Sequence, residues 1–313
     1  MFTVEKGQRA LAGAFTNALS LVGNTPLIQI KQIAANLSPG VTIYAKAEWL
    51  NPGGSIKDRP ALRMIEEGER AGLLTRDKTI LEATSGNTGI ALAMIGAIKG
   101  YRVELAIPEN VSKERRIILR GYGAKIHWSD PMEGSDGAIR LANKIQAVAP
   151  DKYFRPDQYG NPECWRAHYL STGPEIWEQT KGSITHFVAA LGTSGTVMGT
   201  GRFLKERNPK IQIVAMEPEE FHGIEGLKNM ATSIVPAIYD PKVHDRKLVV
   251  ATEQAYDMER RIAAEEGMFV GQSAGANLWG ALKIAAEITE GLIVCIFCDS
   301  GDKYLSTQVW ADG

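Results

Sequence analysis

Lys57 stands between a Pro-Gly-Gly-Ser turn and a helix start, in PGGSIKDRP (52 to 60). An ammonium at such a junction can hold an anion, and a desolvated amine can instead attack a carbonyl to form a Schiff base. Three other loops place glycine and small hydroxyl residues just before helical sequence. GTSGT follows the apolar run ITHFVAAL, so its backbone N–H groups and the hydroxyls of Thr193, Ser194 and Thr196 can surround an anion at a helix N-terminus. TSGNTG offers Thr84, Ser85, Thr88 and the amide of Asn87. That set suits a carboxylate, and the amide can also donate to a phenolate or carbonyl oxygen. GQSAG offers Ser273, either as a helix cap or as a neutral hydroxyl for a ring nitrogen.

Each loop alone has a plainer reading. A solvated lysine, a glycine-rich turn that merely packs strand on helix, and a capping serine would leave the same letters. GTSGT is neither a Walker loop nor a GxGxxG fingerprint. Glu217, closing the next strand, keeps a nucleotide-binding dehydrogenase in play, because an acidic residue there can hold a ribose hydroxyl. Taken together, two anion cups and a lysine fit pyridoxal phosphate with an amino-acid partner. The aldehyde would meet Lys57, the phosphate the GTSGT cup, the ring nitrogen Ser273 and the 3-oxygen Asn87.

The elements that must position these loops alternate. Strands are expected over 24 to 30 and 41 to 49, then a helix beginning near Pro60. From residue 79 the order is strand TILEAT, helix IALAMIGAIKG, strand YRVELAIP, a helix near SKERRIILRGYG, strand AKIHWS and helix DGAIRLANKIQAV. A loop at DQYGNPECW and a helical stretch WRAHYLSTGPEIWEQT interrupt the pattern. It resumes with ITHFVAAL, VMGTGRFLKER and IQIVAME, then an irregular segment from Pro218 to about His244. RKLVVAT, a helix over EQAYDMERRIAAEEG, strand-like GMFV, a further helix and the strand LIVCIFC close the chain. Such alternation implies an α/β fold with parallel sheets and right-handed crossovers, and ligands bind at the carboxyl ends of the strands. Each loop above falls at such an end. Two βα arrays meeting near residue 160 imply two lobes with the site between them.

Composition narrows the function classes. At 313 residues, 44% hydrophobic and 23% charged, the chain is of ordinary globular make-up and long enough for two lobes. A net charge of −1 gives no electrostatic reason to expect nucleic acid or an anionic membrane. No apolar run nears the roughly 20 residues that span a bilayer, and the N-terminus lacks a signal-peptide core, so the cytoplasm is expected. Three cysteines make no disulfide framework. Cys295 and Cys298 read as core, since two strand residues so spaced have α-carbons about 10 Å apart, beyond the roughly 7 Å limit for a bridge. The five histidines show no metal-binding spacing, and no metal is assigned.

PGGSIKDR, TSGNTG, QYGNP, GTSGT, GQSAG and CDSGDKYLST, in this order from Asn24 to Thr307, resemble the cysteine synthase branch of the fold-type II pyridoxal-phosphate enzymes, nearest the B type. The resemblance implies Lys57 as the Schiff-base lysine and later proton shuttle. It implies Asn87 on the 3-oxygen, Gly192, Thr193, Ser194, Gly195 and Thr196 on the phosphate, and Ser273 on the ring nitrogen. Thr84, Ser85, Asn87, Thr88 and Gln158 would hold the substrate carboxylate. It further implies a mobile small lobe over 51 to 161, a larger lobe from 24 to 50 and 162 to 313, an N-terminal extension over 1 to 23, and a homodimer. A serine facing the ring nitrogen leaves it uncharged and a weaker electron sink, which favours loss of a β-leaving group over transamination or racemisation. The expected reaction is therefore cysteine formation from an O-activated serine. EGLKNM and VPAIYDP resemble the subset that uses O-phosphoserine, with Lys228 in the place of its basic residue. A lysine is a point charge and not a fork, so O-acetylserine and O-phosphoserine both stay open. So does the sulfur source, among sulfide, thiosulfate and a carrier-protein thiocarboxylate. Cystathionine β-synthase, serine or threonine dehydratase and a catalytically silent regulatory homologue are the alternatives. The absence of an added regulatory or haem-binding extension, the Gln158 stretch and the intact Lys57 respectively argue against them.

Overall fold

The computed structural model describes residues 15–310. The N-terminal stretch from 1 to 14, most of the expected extension, lies outside them. The strands are β1 (Leu27–Gln29), β2 (Gly40–Ala47), β3 (Thr79–Ala83), β4 (Arg102–Pro108), β5 (Lys125–Ser129), β6 (Tyr153–Phe154), β7 (His186–Ala190), β8 (Gln212–Pro218), β9 (Arg246–Val250) and β10 (Glu290–Phe297). They form two sheets. One runs β1-β2-β10-β7-β8-β9 and the other β5-β4-β3-β6. Every pairing is parallel except that of β1 with β2. The α/β expectation therefore holds, with one antiparallel edge strand added. The strands of the smaller sheet all lie between residues 79 and 154, interrupting the chain path of the larger one.

The main helices are α1 (Asp58–Arg70), α2 (Asn87–Lys99), α3 (Lys113–Gly121), α4 (Gly134–Val148), α5 (Glu163–Ala167), α6 (Gly173–Gln179), α7 (Gly195–Arg207), α8 (Thr252–Glu266) and α9 (Gln272–Ala285). Sequence decides their burial. α2 is apolar almost all round, and Thr88 to Gly96 are buried without a break. It shares one core with Ile80, Val103, Leu105 and Ile107 of the small sheet. α9 does the same against Ile43, Val188, Val214 and Ile293 of the large sheet. A third core packs α7 on the other face of that sheet, through Val197, Met198, Phe203 and Leu204. Parallel strands buried on both faces need such near-continuous apolar runs.

Several expected boundaries shift. The 24 to 30 strand contracts to β1, because Pro26 has no N–H to donate and Asn24 takes a left-handed φ of 50°. The 41 to 49 strand ends at Ala47, where Glu48–Leu50 turns into a short 3₁₀ helix. GMFV is no strand; only Val270 forms a bridge, to Ser300. β6 was not expected, since two residues carry no readable period. The helical stretch after the loop is real but contains one π-helical turn, His168–Thr172, between α5 and α6.

A buried ion-pair network anchors the base of α1. Arg59 Nε meets Glu48 at 2.7 Å and its Nη1 meets Glu175 at 2.6 Å, while Lys46 Nζ meets Glu175 at 2.7 Å. Burial alone would raise the Glu175 carboxyl, but Arg59 and Lys46 hold it at about 2. Lys57 immediately precedes this anchored helix. Among the described residues no helix is long and apolar enough to cross a membrane.

Candidate active site

A cavity of about 960 Å³ lies between the two sheets. Its wall includes Lys57, Thr84, Ser85, Asn87, Thr88, Gln158, Gly192, Thr193, Thr196, Lys228 and Ser273. The fold thus brings residues from six separate stretches to one space. Ser194 and Gly195 sit just behind the wall, both buried.

Lys57 caps α1 from outside, its N–H donating to Ser55 Oγ at 3.2 Å, and it stays partly exposed. Its amine has no ion-pair partner among the described residues. An amine so placed is free for a carbonyl.

Of the helix N-termini that reach this cavity, three follow the glycine-bearing loops and have no side-chain cap among the described residues. These are α2 behind Gly86, α7 behind Ser194 and α9 behind Gly271. The first N–H groups of a helix have no partner within it, so such ends offer donors and a positive potential to anions. Gly86 takes a φ of 151°, a conformation few residues other than glycine adopt. In the α7 turn, a Cβ on Gly192 would come within 2.3 Å of the Gly226 carbonyl oxygen. Ser194 is held at a left-handed φ of 67°, and its buried Oγ has no hydrogen-bond partner among the described residues. A strained serine with an orphaned hydroxyl beside unpaired helix N–H groups fits a phosphate.

Across the cavity the TSGNTG loop is braced from behind. Thr88 Oγ1 donates to Gln158 Oε1 at 2.6 Å, and Gln158 Nε2 donates to the Ala83 carbonyl at 2.7 Å. The Gly86 N–H is taken by Thr84 Oγ1 at 3.0 Å. These bonds fix Gln158 and Thr88 in one geometry, leaving the start of α2 open. Beneath the loop, burial raises the Glu82 carboxyl to about 7.

Lys228 is not a surface lysine. It is 3% exposed, and its Nζ lies 2.5 Å from Asp136 Oδ1 on α4 and 5.3 Å from the Tyr159 ring. The contact ties α4, packed on the smaller sheet, to the segment that follows β8 of the larger one, beside the cavity. Glu217 stands apart from the cavity wall. It accepts from the Met230 N–H at 2.8 Å and pairs with Lys247 at 2.6 Å, so the ribose role has no geometry to support it.

The core reading holds for Cys295, buried in β10, and in part for Cys298, which packs against the core but is only half-buried. The strand ends at Phe297, and Cys298 follows it on the cavity wall. Burial raises its thiol to about 11 against the opposing pull of Lys57, and Cys164 behind Thr193 is raised likewise to about 11. Both are thiols at neutral pH, without the thiolate character of a nucleophile.

Sequence reasoning also passed over Arg115, buried against the Tyr304 ring at 4.4 Å and paired with Glu225 on the cavity wall. Its place in an ordinary amphipathic helix gave no signal. His168 was missed as well. Burial, then Arg59 and Lys57, push its imidazole well below the usual range. The neutral ring sits 3.0 Å from Thr172 Oγ1 and 3.5 Å from Thr196 Oγ1, tying the π-helical turn to the α7 cup.

Comparison with known proteins agrees with this geometry. Residues 18–299 match the family model described as pyridoxal-phosphate dependent enzyme. The chain is 51% identical over 300 residues to cysteine synthase from Aquifex aeolicus, covering 94% of this chain and 92% of that protein. It is 45% identical over 289 residues to cysteine synthase B from Pseudomonas aeruginosa, covering 92% and 95%. The crystal structure of cysteine synthase from Entamoeba histolytica superposes with a TM-score of 0.89 at 35% identity, over 99% of this chain and 94% of that one. With the lysine, the phosphate-fitting cup and the uncapped helix ends around one cavity, the chain belongs to the pyridoxal-phosphate-dependent enzymes, in their cysteine synthase branch.

Proposed function

We propose that this enzyme makes L-cysteine by β-replacement on an O-activated L-serine. The observation that supports this most is the shared wall of one cavity, with an unpaired Lys57 beside two uncapped helix N-termini suited to a phosphate and a carboxylate. Bound pyridoxal phosphate supplies an aldehyde and a ring that accepts electrons from the α-carbon. The chain's own residues do the rest. Gly192 to Thr196 hold the phosphate, Asn87 meets the 3-oxygen, and Ser273 meets the ring nitrogen without charging it. Thr84, Ser85, Asn87, Thr88 and Gln158 hold the substrate carboxylate. Lys57 anchors the cofactor and then, as a free amine, moves the proton at the substrate α-carbon.

O-acetylserine and O-phosphoserine are the two donors, with Lys228 as the group that would meet a phosphate. Sulfide, thiosulfate or a carrier-protein thiocarboxylate brings the sulfur. Residues 51 to 161 act as a small lobe that closes on the substrate. A homodimer, which rests on the resemblance alone, and the cytoplasm as its expected compartment complete the reading.

The test begins with the visible absorption of the purified protein. Each serine donor is then added with sulfide or thiosulfate, and L-cysteine is measured. Lys57→Ala is expected to lose both the visible band and turnover; a variant that keeps both overturns the assignment.

A further inference from the structure

The closing motif CDSGDKYLST has no part in the chemistry above, yet the fold lays it across three site loops. The Cys298 carbonyl accepts from the Ile56 N–H at 2.8 Å, beside Lys57. The Asp299 carbonyl accepts from the Gly271 N–H at 3.0 Å, beside the Ser273 loop. Side chains reach the third loop. Asn87 Nδ2 donates to Asp299 Oδ2 at 2.6 Å. Lys303 Nζ donates to Asn87 Oδ1 at 3.1 Å and to the carbonyls of Gly53 and Gly54 at 3.0 and 2.9 Å. Tyr304 OH holds Asp299 Oδ2 at 2.7 Å. Asp299 is 0% exposed and Lys303 3%, whereas Asn87 remains partly open on the cavity wall.

A side-chain amide has a donor end and an acceptor end of nearly equal shape, and only its neighbours choose between them. Here the choice is made by charge. Turning the amide over would set its oxygen against the Asp299 carboxylate and its NH₂ against the Lys303 ammonium, in a site where water cannot screen either. Both partners are buried, so neither can turn to solvent. The carboxylate uses one of the two Nδ2 hydrogens, and the second is left for the cavity.

We propose that Asp299 and Lys303 are positioning residues that lock the Asn87 amide as a donor toward the cofactor's 3-oxygen. The proposal rests on the reading in which Asn87 meets that oxygen. An N–H given to the oxygen favours its ionised form. Losing the donor therefore transfers absorbance of the bound cofactor from its long-wavelength band to its near-ultraviolet band.

The test is the absorption spectrum of the holoenzyme, read against circular dichroism and melting of the same samples. N87A, D299N and K303M are each expected to lower the ratio of the two bands by about two- to tenfold, the range of one ordinary hydrogen bond. K303R, which keeps the donor, is expected to recover most of the ratio. N87A combined with D299N should fall no further than N87A alone, since residues acting through one group are not additive. If N87A leaves the spectrum native, the role of Asn87 itself is wrong and the proposal falls with it. If N87A changes the ratio while D299N and K303M do not, or if their effects add, the positioning proposal alone is overturned. Should D299N fail to fold, K303M and K303R decide by the same criteria.

Discussion

Lys228 Nζ and Asp136 Oδ1 meet at 2.5 Å on the wall of the cavity. Asp136 also accepts from the Ile234 N–H at 2.8 Å, so the carboxylate serves both the lysine and its supporting loop. A lysine so paired carries a neutralised charge, and a substrate phosphate would have to compete with Asp136 for it. Lys228→Ala is therefore expected to raise KM for O-phosphoserine by about tenfold to a hundredfold, the range of a charged hydrogen bond. Its effect on O-acetylserine should be much smaller. Asp136→Asn should move the O-phosphoserine KM the opposite way. Steady-state kinetics with both donors decide, and equal effects on the two would remove Lys228 from the leaving-group site.

Gly192 has no room for a side chain. A Cβ there meets the Gly226 carbonyl at 2.3 Å, and backbone cannot swing aside as a side chain can. Gly192→Ala should cost about 1–3 kcal/mol of stability, as overpacking does. It should also displace the turn that carries Thr193 and Ser194, weakening cofactor affinity by tenfold or more. Titrating apoprotein with pyridoxal phosphate measures this, and unchanged affinity would show that the cup does not depend on the turn.

Burial, then the nearby Asp299, raise the Glu259 carboxyl from 4.5 to about 9, and neither of its oxygens has a hydrogen-bond partner among the described residues. The folded protein thus keeps a proton that the unfolded chain gives up near pH 4.5. Stability from this group is complete below that pH and is lost as pH rises through about 9. Asp58 and Glu82, both raised by burial to about 7, add a slope of the same sign below neutrality. Glu259→Gln removes only the first contribution. Melting temperatures of native enzyme and E259Q should diverge as the pH is raised, with E259Q ahead at the alkaline end. Parallel curves would mean that Glu259 does not titrate in this window.

Much of the site was legible because it consists of short loops whose composition already states their use. Glycine with hydroxyl residues between a strand and a helix is enough to mark a candidate helix end, and the loops so marked carry Lys57, Asn87, Thr196 and Ser273 to one cavity wall. The run LIVCIFC could show that Cys295 is buried, but not that the strand stops one residue before Cys298 and turns that thiol to the cavity. Nor could the sequence show what Lys228 pairs with, because Asp136 lies 92 residues away.

The sequence by itself determined the alternating elements, the helix starts and the chemical character of each loop, since these depend on residues close together in the chain. The tertiary structure alone decided which loops face one another. Asn87 meets Asp299 and Lys303 across 212 and 216 residues, and no local pattern encodes that separation. Burying three apolar helices against two sheets places these distant ends together, and low-dielectric surroundings then make the orientation of one amide a matter of charge.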